Sequence, residues 1–444
     1  MTNFQAAKID TKRFPNHINL TGSDCFFVML DNVTQRFQSG NNVLRMCLSF
    51  DDHSAAMSIQ KRFEESPVIH WMCNIELERG RTMLLKPRWV YRNRNNTLCC
   101  RTHKVDDGET LPSEIINRPF NSQFEQLLSL DNVNYPSGKS ELIFSWHHAL
   151  MDGRGSGMLL RSILSDNIDW NTIFPATENE PSAYAHIRNM YVVKRFIQQS
   201  AKPPIGALKN WRDKMENAAR KSHFFSQTFT LTETNRIDDN AAHLGARFGA
   251  GNFLLACCAL AVDQIRKSKG TVGDLWVPVP YDGRKRGSKG PILTNQIAFL
   301  FYRFNPSALT SLFNCVQSIQ AQMTEQLKQD MPKKYDQLLG MMRYSPLWLY
   351  RFLTTRSSKG GLSSFLFSSA GEDKWDMSTM HTHSIQKIQM IPPSTVPPGL
   401  TFSFLRNNKQ LTLNILWSEH TLNEVDFAKL KEILLNYLLT EENR

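Results

Sequence analysis

His147-His148-Ala149-Leu150-Met151-Asp152-Gly153 lies between two apolar segments. Before it, Leu142-Ile143-Phe144-Ser145-Trp146 reads as a short buried strand. After it come Arg154-Gly155-Ser156-Gly157 and then Met158-Leu159-Leu160-Arg161-Ser162-Ile163-Leu164, which reads as a helix. Two histidines, an aspartate and a glycine therefore occupy a strand-to-helix turn. Such turns set side chains at the mouth of a core rather than inside it. An imidazole, with an ordinary pKa of ~6.5, suits proton transfer near neutral pH. Gly153 permits close backbone approach, and its amide at a helix start can face a developing oxyanion. Asp152, four residues beyond His148, can orient that ring as a hydrogen-bond acceptor.

Working outward, the first part of the chain alternates between strand and helix patterns. Leu20 to Leu30 is an apolar run preceded by capping or turn residues at Thr21, Ser23 and Asp24. Asn42 to Phe50 reads as a strand and Ser54 to Ser66 as a helix. Further strands are expected at Trp71–Leu77, Thr82–Trp89 and Thr97–Thr102, and a short helix at Phe120–Leu130. The stretch 173–204 carries Pro175, Pro181, Pro203 and Pro204 around a helical segment, Ala183 to Gln199, and reads as a crossover. The expected division is an N-terminal lobe over 1–175, a linker over 176–205 and a C-terminal lobe over 206–444.

The second part predicts helices at Leu208–Ala219, Phe253–Lys267, Leu309–Leu327 and Val425–Leu439. Strands are expected at Phe224–Leu231, Leu275–Tyr281, Asn295–Phe304 and Phe365–Gly371. Pro398–Phe404 and Gln410–Trp417 read as a hairpin around Asn407-Asn408. Strands interleaved with helices make an α/β layer architecture.

Bulk properties exclude several classes. The chain has 444 residues, 41% hydrophobic and 21% charged, an ordinary globular balance. No apolar run approaches the roughly 18 to 20 residues of a membrane span, and Met1 to Phe14 lacks a signal-peptide core. A cytoplasmic location is therefore expected, with peripheral membrane contact as an addition to it. The eight cysteines contain no CxxC spacing, so no zinc or thioredoxin-like site is expected. The net charge is +11, with basic runs at Arg79–Arg94 and Arg284–Lys289 that lack the aromatic interleaving of a nucleic-acid face. Such charge reads as a solvated surface, or as attraction to phosphates, an acidic carrier protein or anionic lipid.

The seven-residue stretch resembles the HHxxxDG signature of the chloramphenicol acetyltransferase-like and condensation-domain acyltransferases. The similarity extends beyond it. Leu20-Thr21-Gly22-Ser23-Asp24 is similar to the LSPLD opening of the wax ester synthase/diacylglycerol acyltransferase branch. Val277-Pro278-Val279-Pro280-Tyr281-Asp282-Gly283-Arg284, followed by Asn295-Gln296-Ile297, is similar to that branch's second half. The polyketide-associated acyltransferases are a further near branch. Phe367-Ser368-Ser369-Ala370-Gly371 departs from the pattern, lacking the asparagine and proline of SNVPG.

The resemblance implies two lobes of mixed sheet and helix arranged as a V around a central tunnel. It implies an acyltransferase with His148 as general base and His147 as a packing neighbour. It also implies an Asp152 that turns away and pairs with an arginine, for which Arg284 is the candidate. Ser368, Ser369 and Asn295 are candidate oxyanion donors. The donor would be acyl-CoA or acyl-phosphopantetheine, arriving free or on an acyl or peptidyl carrier protein; no bound cofactor and no nucleic acid is implied. The acceptor would be a small-molecule alcohol or amine. A free-standing condensation domain forming amides and an inactive partner-binding relative are alternatives.

Bland readings compete with each residue. Adjacent histidines are more often surface or core residues than catalysts, and as metal ligands they diverge where helical sites use i, i+4 spacing. His381 and His383 lack accompanying carboxylates, so no metal is expected. Gly153-x-Gly155-x-Gly157 departs from the dinucleotide fingerprint and reads as a tight helix entry. Pro346 to Leu353 reads as a core helix, or alternatively as a surface helix that dips into lipid or lines an acyl pocket.

Overall fold

The computed structural model describes residues 14–36, 40–78, 87–108, 111–120, 126–165, 167–175, 183–202, 206, 208, 221–246, 249–271, 273–285, 287–356, 362–372, 380 and 382–440. Its N-terminal part runs β1 (His17–Asn19), α1 (Gly22–Arg36), β2 (Val43–Phe50), α2 (His53–Glu65), α3 (Pro67–Cys73), β3 (Ile75–Glu78), β4 (Arg88–Tyr91), β5 (Cys100–Lys104), α4 (Ser113–Asn117), β6 (Leu128–Asn134), β7 (Ser140–His147), α5 (Gly153–Leu164) and α6 (Trp170–Ile173). The helix α7 (Ala183–Ser200) follows. Then come β8 (Ser222–Thr228), α8 (Leu231–His243), α9 (Gly251–Ser268), β9 (Leu275–Asp282), β10 (Ile297–Phe304), α10 (Leu312–Lys328), α11 (Met331–Met342), α12 (Leu347–Arg356), β11 (Leu366–Glu372), β12 (Lys387–Ile391), β13 (Leu400–Asn407), β14 (Gln410–Ser418) and α13 (Glu424–Leu439).

Two principal sheets organise these elements. One has the order β12-β2-β7-β6-β5 and the other β11-β13-β14-β8. In the first sheet β7 pairs antiparallel with both β2 and β6, placing Val43 opposite His147. In the second, β13 and β14 form an antiparallel hairpin whose turn holds Asn408 and Lys409 at positive φ. A long hairpin, β9-β10, and a small β1-β4-β3 sheet complete the set. The two-lobed α/β architecture is the one the resemblance implies.

β7 shows why its sequence reads as a continuous apolar run. Leu142, Ile143, Phe144 and Trp146 are all fully buried, because helices cover one face and α4 with its neighbours covers the other. Each lobe has its own core. The second gathers α9, α10, α13 and the inner face of the β11-β13-β14-β8 sheet.

Sheet membership crosses the sequence division at 206. β12 leaves the second part of the chain and becomes the edge strand beside β2, with Lys387 opposite Ser49. Trp276, Phe299, Phe301, Tyr335, Leu339 and Tyr350 likewise join the first core. The two lobes are thus stitched together by a strand and by the α11 and α12 helices packed on α1.

Several local expectations are corrected. Trp71–Leu77 is not one strand: Ser66 caps a helix with Pro67 at its first position, and only Ile75–Glu78 is extended. Within Phe120–Leu130, residues 121–125 lie outside the described set and Leu128 onward is strand β6, buried on both faces. The strand expected to reach Leu231 ends at Thr228, and α8 begins at Leu231. The helix expected at Leu208–Ala219 lies outside the described residues apart from Leu208, as do residues 82–86 of the strand expected at Thr82–Trp89.

Candidate active site

The HHxxxDG turn is held by its own backbone and by two neighbouring strands. His147 N donates to Leu127 O at 2.9 Å and His148 N to Asn42 O at 3.0 Å. The Trp146 indole N–H, which leaves a fully buried ring, donates to Met151 O at 2.9 Å and closes the turn. Asp152 then caps α5, accepting from Gly155 N at 2.8 Å.

Successive side chains of a strand face opposite ways, so the two histidines have different surroundings. His147 Nδ1 accepts from Ala149 N at 3.1 Å, which leaves the proton on Nε2. That nitrogen lies 3.6 Å from the Asp31 carboxylate on α1. His147 therefore sits against α1, the helix behind the turn.

His148 faces a cavity of about 1800 Å³. Phe27 stacks on its ring, with centroids 3.5 Å apart and planes 12° from parallel. Nδ1 lies 3.1 Å from Asn295 Oδ1. The Asn295 amide is oriented unambiguously, because its nitrogen is 2.9 Å from His148 O and 2.9 Å from Asp24 Oδ1, two groups that only accept. Oδ1 is then an acceptor, Nδ1 carries the ring proton, and Nε2 keeps its lone pair. Burial pushes the His148 pKa down to about 4, opposed by hydrogen bonds to its own backbone and to Asn295. At neutral pH this shift leaves the ring uncharged, with its proton on Nδ1.

Asp24, on α1, was not among the sequence-derived site residues. Its carboxylate accepts from Thr21 N at 2.8 Å, Asn295 N at 2.7 Å, Asn295 Nδ2 and Thr294 Oγ1. Burial raises its pKa, and these donors counter the shift. Asn295 does not serve as the expected oxyanion donor, since both amide hydrogens are taken. Its oxygen faces His148 Nδ1 instead.

Asp152 turns away from His148. Its Oδ2 accepts from Arg284 NH1 at 2.6 Å and from Gln296 N at 3.0 Å. Arg284 continues to Thr294 O at 3.1 Å and Pro291 O at 3.3 Å. Both side chains are almost wholly buried. One buried ion pair therefore joins the HHxxxDG turn to the loop between β9 and β10.

Gly153 and Arg154 occupy the first turn of α5, where helix amides lack intrahelical partners. Gly153 lines the cavity. Ser368 and Ser369 line it too, from β11 in the opposite lobe. The remaining lining is mixed in chemistry. It includes Arg154, Arg161, Lys194 and Lys289, with Asp169 and Asp282. It also includes Leu30, Leu338 and Met342 and a set of adjoining aromatic rings, Phe26, Trp276, Phe299, Phe301 and Tyr335. Among the described residues no group of three or more His, Cys, Asp and Glu side chains could hold a metal ion.

The fold has counterparts among solved structures. The trichothecene 15-O-acetyltransferase of Fusarium sporotrichioides matches with a TM-score of 0.62 at 13% identity, covering 95% of this chain and 94% of that one. The chain has the condensation-domain fold. The first condensation domain of the calcium-dependent antibiotic synthetase matches with a TM-score of 0.60 at 14% identity and 95% coverage of both chains. The wax ester synthase/diacylglycerol acyltransferase of Marinobacter aquaeolei VT8 matches at 0.56 and 14%, covering 94% of this chain and 99% of that one. No protein-family model and no curated protein sequence matches the chain.

Proposed function

We propose that this protein transfers an acyl group from a coenzyme A or carrier-bound thioester to a hydroxyl or amine. The observation that carries the reading is the His148 ring: buried at the cavity wall, neutral, with Nδ1–H held by Asn295 and the Nε2 lone pair available.

In this reading Nε2 takes the acceptor's proton as its oxygen or nitrogen attacks the thioester carbonyl carbon. The carbonyl oxygen becomes an oxyanion. The Gly153 and Arg154 amides at the α5 N-terminus, and the Ser368 and Ser369 hydroxyls across the cavity, are the groups available to stabilise it. The intermediate collapses with cleavage of the C–S bond, and the leaving thiolate recovers the proton from Nε2. Imidazolium formation in a buried site is unfavourable by itself. It is offset by the nearby oxyanion and by the Asn295 and His148 carbonyl oxygens facing Nδ1–H.

The charged and polar side chains of the lining suit the phosphate and amide groups of a pantetheine arm, and its aromatic and aliphatic ones suit the acyl group or a hydrophobic acceptor. The family-level reading draws support from the acetyltransferase and acyltransferase named above, which share the fold.

The test is thiol release from a panel of acyl-CoA and acyl-carrier thioesters, with and without alcohols and amines. Acceptor-dependent release is expected, falling by at least about a hundredfold in His148→Ala, the scale of general-base catalysis. Full activity in that variant with a productive substrate would overturn the assignment. Release from carrier-bound but not free thioesters would favour a condensation-type reaction.

A further inference from the structure

One face of α1 is given over to the histidine pair. Asp24, Phe27 and Asp31 are i, i+3 and i+7 on that helix, so they share one side of it. Asp24 accepts from the Asn295 amide, whose oxygen faces His148 Nδ1, and Asp31 sits against His147. Phe27, between them, is buried and covers the face of the His148 ring. Asn42 ties the two main chains together: its Nδ2 donates to Phe27 O at 2.8 Å, and its carbonyl accepts from His148 N at 3.0 Å. The Phe26 ring meets Phe27 at 78°, edge against face, and leaves it little freedom to turn.

The geometry of the stack discriminates between charge states. Contacting carbon atoms lie roughly 3.5 to 4.0 Å apart. Rings 12° from parallel with centroids 3.5 Å apart therefore overlap face on, without lateral offset. Two neutral aromatic rings disfavour that arrangement, because their negative faces repel; they slide apart or turn edge-on instead. A cation over the same face is attracted. The polar surroundings have the same bias. Nδ1–H faces Asn295 Oδ1, and the Asp152 carboxylate favours the charged ring, while burial and His147 oppose it.

We infer that Phe27 is a positioning residue for His148, its ring face favouring the imidazolium over the neutral imidazole. The consequence for catalysis rests on the acyl-transfer reading. The imidazolium is the state formed when Nε2 takes the acceptor's proton, so the stack stabilises the charged intermediate more than the resting protein. The bias itself does not rest on that reading, because it belongs to the acid–base equilibrium of the resting protein.

The experiment compares the wild type with Phe27→Leu and with protein in which Phe27 is replaced by mono-, di- or trifluorophenylalanine. Fluorine keeps the ring's shape and drains its negative face stepwise, which separates charge from packing. Without substrate, NMR of ring-labelled histidine reads the imidazolium fraction between about pH 4 and 6, close to the depressed pKa of about 4. The His148 signals are those absent from His148→Gln, and circular dichroism at each pH checks the fold. The fraction is expected to fall stepwise with fluorination, and the midpoint to drop by about one pH unit in Phe27→Leu. Asp24, Asp31, His147 and Asp152 are unchanged across the series, so their charges cancel in the comparison. With a productive thioester and acceptor, kcat should fall in the same order, by roughly 5- to 30-fold in Phe27→Leu. KM should change less, since it carries the effect of Phe27 as cavity lining. An imidazolium fraction unmoved by fluorination would overturn the inference, whatever the turnover. So would a loss of kcat in Phe27→Leu that no fluorinated protein shares, because Phe27 would then be packing alone. A titration that shifts as expected in a protein that turns over no thioester would uphold the bias and count against acyl transfer instead.

Discussion

Asn295 holds the His148 side chain and main chain at once: its Oδ1 faces ring Nδ1 at 3.1 Å and its Nδ2 reaches His148 O at 2.9 Å. The Asp24 carboxylate fixes this clamp by accepting from the same amide nitrogen. Asn295→Ala removes both the tautomer selection and the acceptor that stabilises an imidazolium. Turnover should fall roughly 10- to 1000-fold with a smaller change in KM, since the lost interaction strengthens as charge develops. Asp24→Asn places an amide against the Asn295 amide and should lower kcat in the same direction. Steady-state kinetics with the best acyl donor, alongside circular dichroism, checks both. Equal losses in kcat and in folded fraction would reduce the clamp to a packing contact.

The depressed pKa of His148 sets an unusual pH profile. With the ring ordinary, kcat/KM would decline below about pH 6.5; with burial holding it near 4, the acid limb moves down to about pH 4 to 5. The same shift contributes to stability. The folded value lies below the ordinary 6.5, so this contribution is fully present above 6.5 and is lost as pH falls through about 4. His148→Gln should therefore flatten the acid side of the unfolding profile. Measured kcat/KM and denaturant midpoints across pH 4 to 8 read both effects.

Asp152 and Arg284 form a buried pair whose partners are 132 residues apart. Arg284→Met leaves the Asp152 carboxylate without its cation and should cost about 3 to 5 kcal/mol. Asp152→Asn retains an oxygen for the Gly155 cap and should cost less. The double variant Asp152→Asn/Arg284→Met should be more stable than the sum of the two single losses predicts. Chemical denaturation of all four proteins closes the cycle; strict additivity would show that the pair is not a unit.

The turn was legible because its signals are local. Leu142 to Trp146 is an uninterrupted apolar run, and α5 starts where the glycines and Asp152 end it. The α8 helix was equally local, since Thr230 and Glu233 form a capping box whose T-x-x-E spacing is visible in the sequence, yet the expected strand runs on to Leu231 and no helix is assigned after it. β6 was misread because Phe120, Phe124, Leu127 and Leu128 have the i, i+4, i+7, i+8 spacing of a helical stripe, while a strand buried on both faces shows no alternation to oppose it. Asp24 escaped notice for a different reason. It suits a helix start, and nothing near it announces Asn295, 271 residues away. The same distance hides how the Asn295 amide is occupied, because nothing local shows which acceptors claim its hydrogens. β12 shows the limit most plainly: no local pattern says that Lys387–Ile391 crosses to the other lobe's sheet.

The two glycines of the α5 entry should respond in opposite ways. A Cβ on Gly153 would meet only Met390 Cε at 3.6 Å, an ordinary contact, so Gly153→Ala should fold like the wild type. Any effect there falls on substrate, because Gly153 lines the cavity, and it should show as a raised KM or lowered kcat without a shift in midpoint. A Cβ on Gly155 would sit 2.6 Å from Ile292 O and 3.2 Å from Met151 Cβ. The carbonyl belongs to the loop that Arg284 ties to Asp152, so it has little room to retreat. Gly155→Ala should therefore destabilise by about 1 to 3 kcal/mol, the scale of overpacking, and loosen the turn that carries His148. Thermal or urea midpoints distinguish the two substitutions. A Gly155→Ala protein as stable as Gly153→Ala would mean that the 290–294 loop yields, and that the close approach of helix and loop does not hold the turn in place.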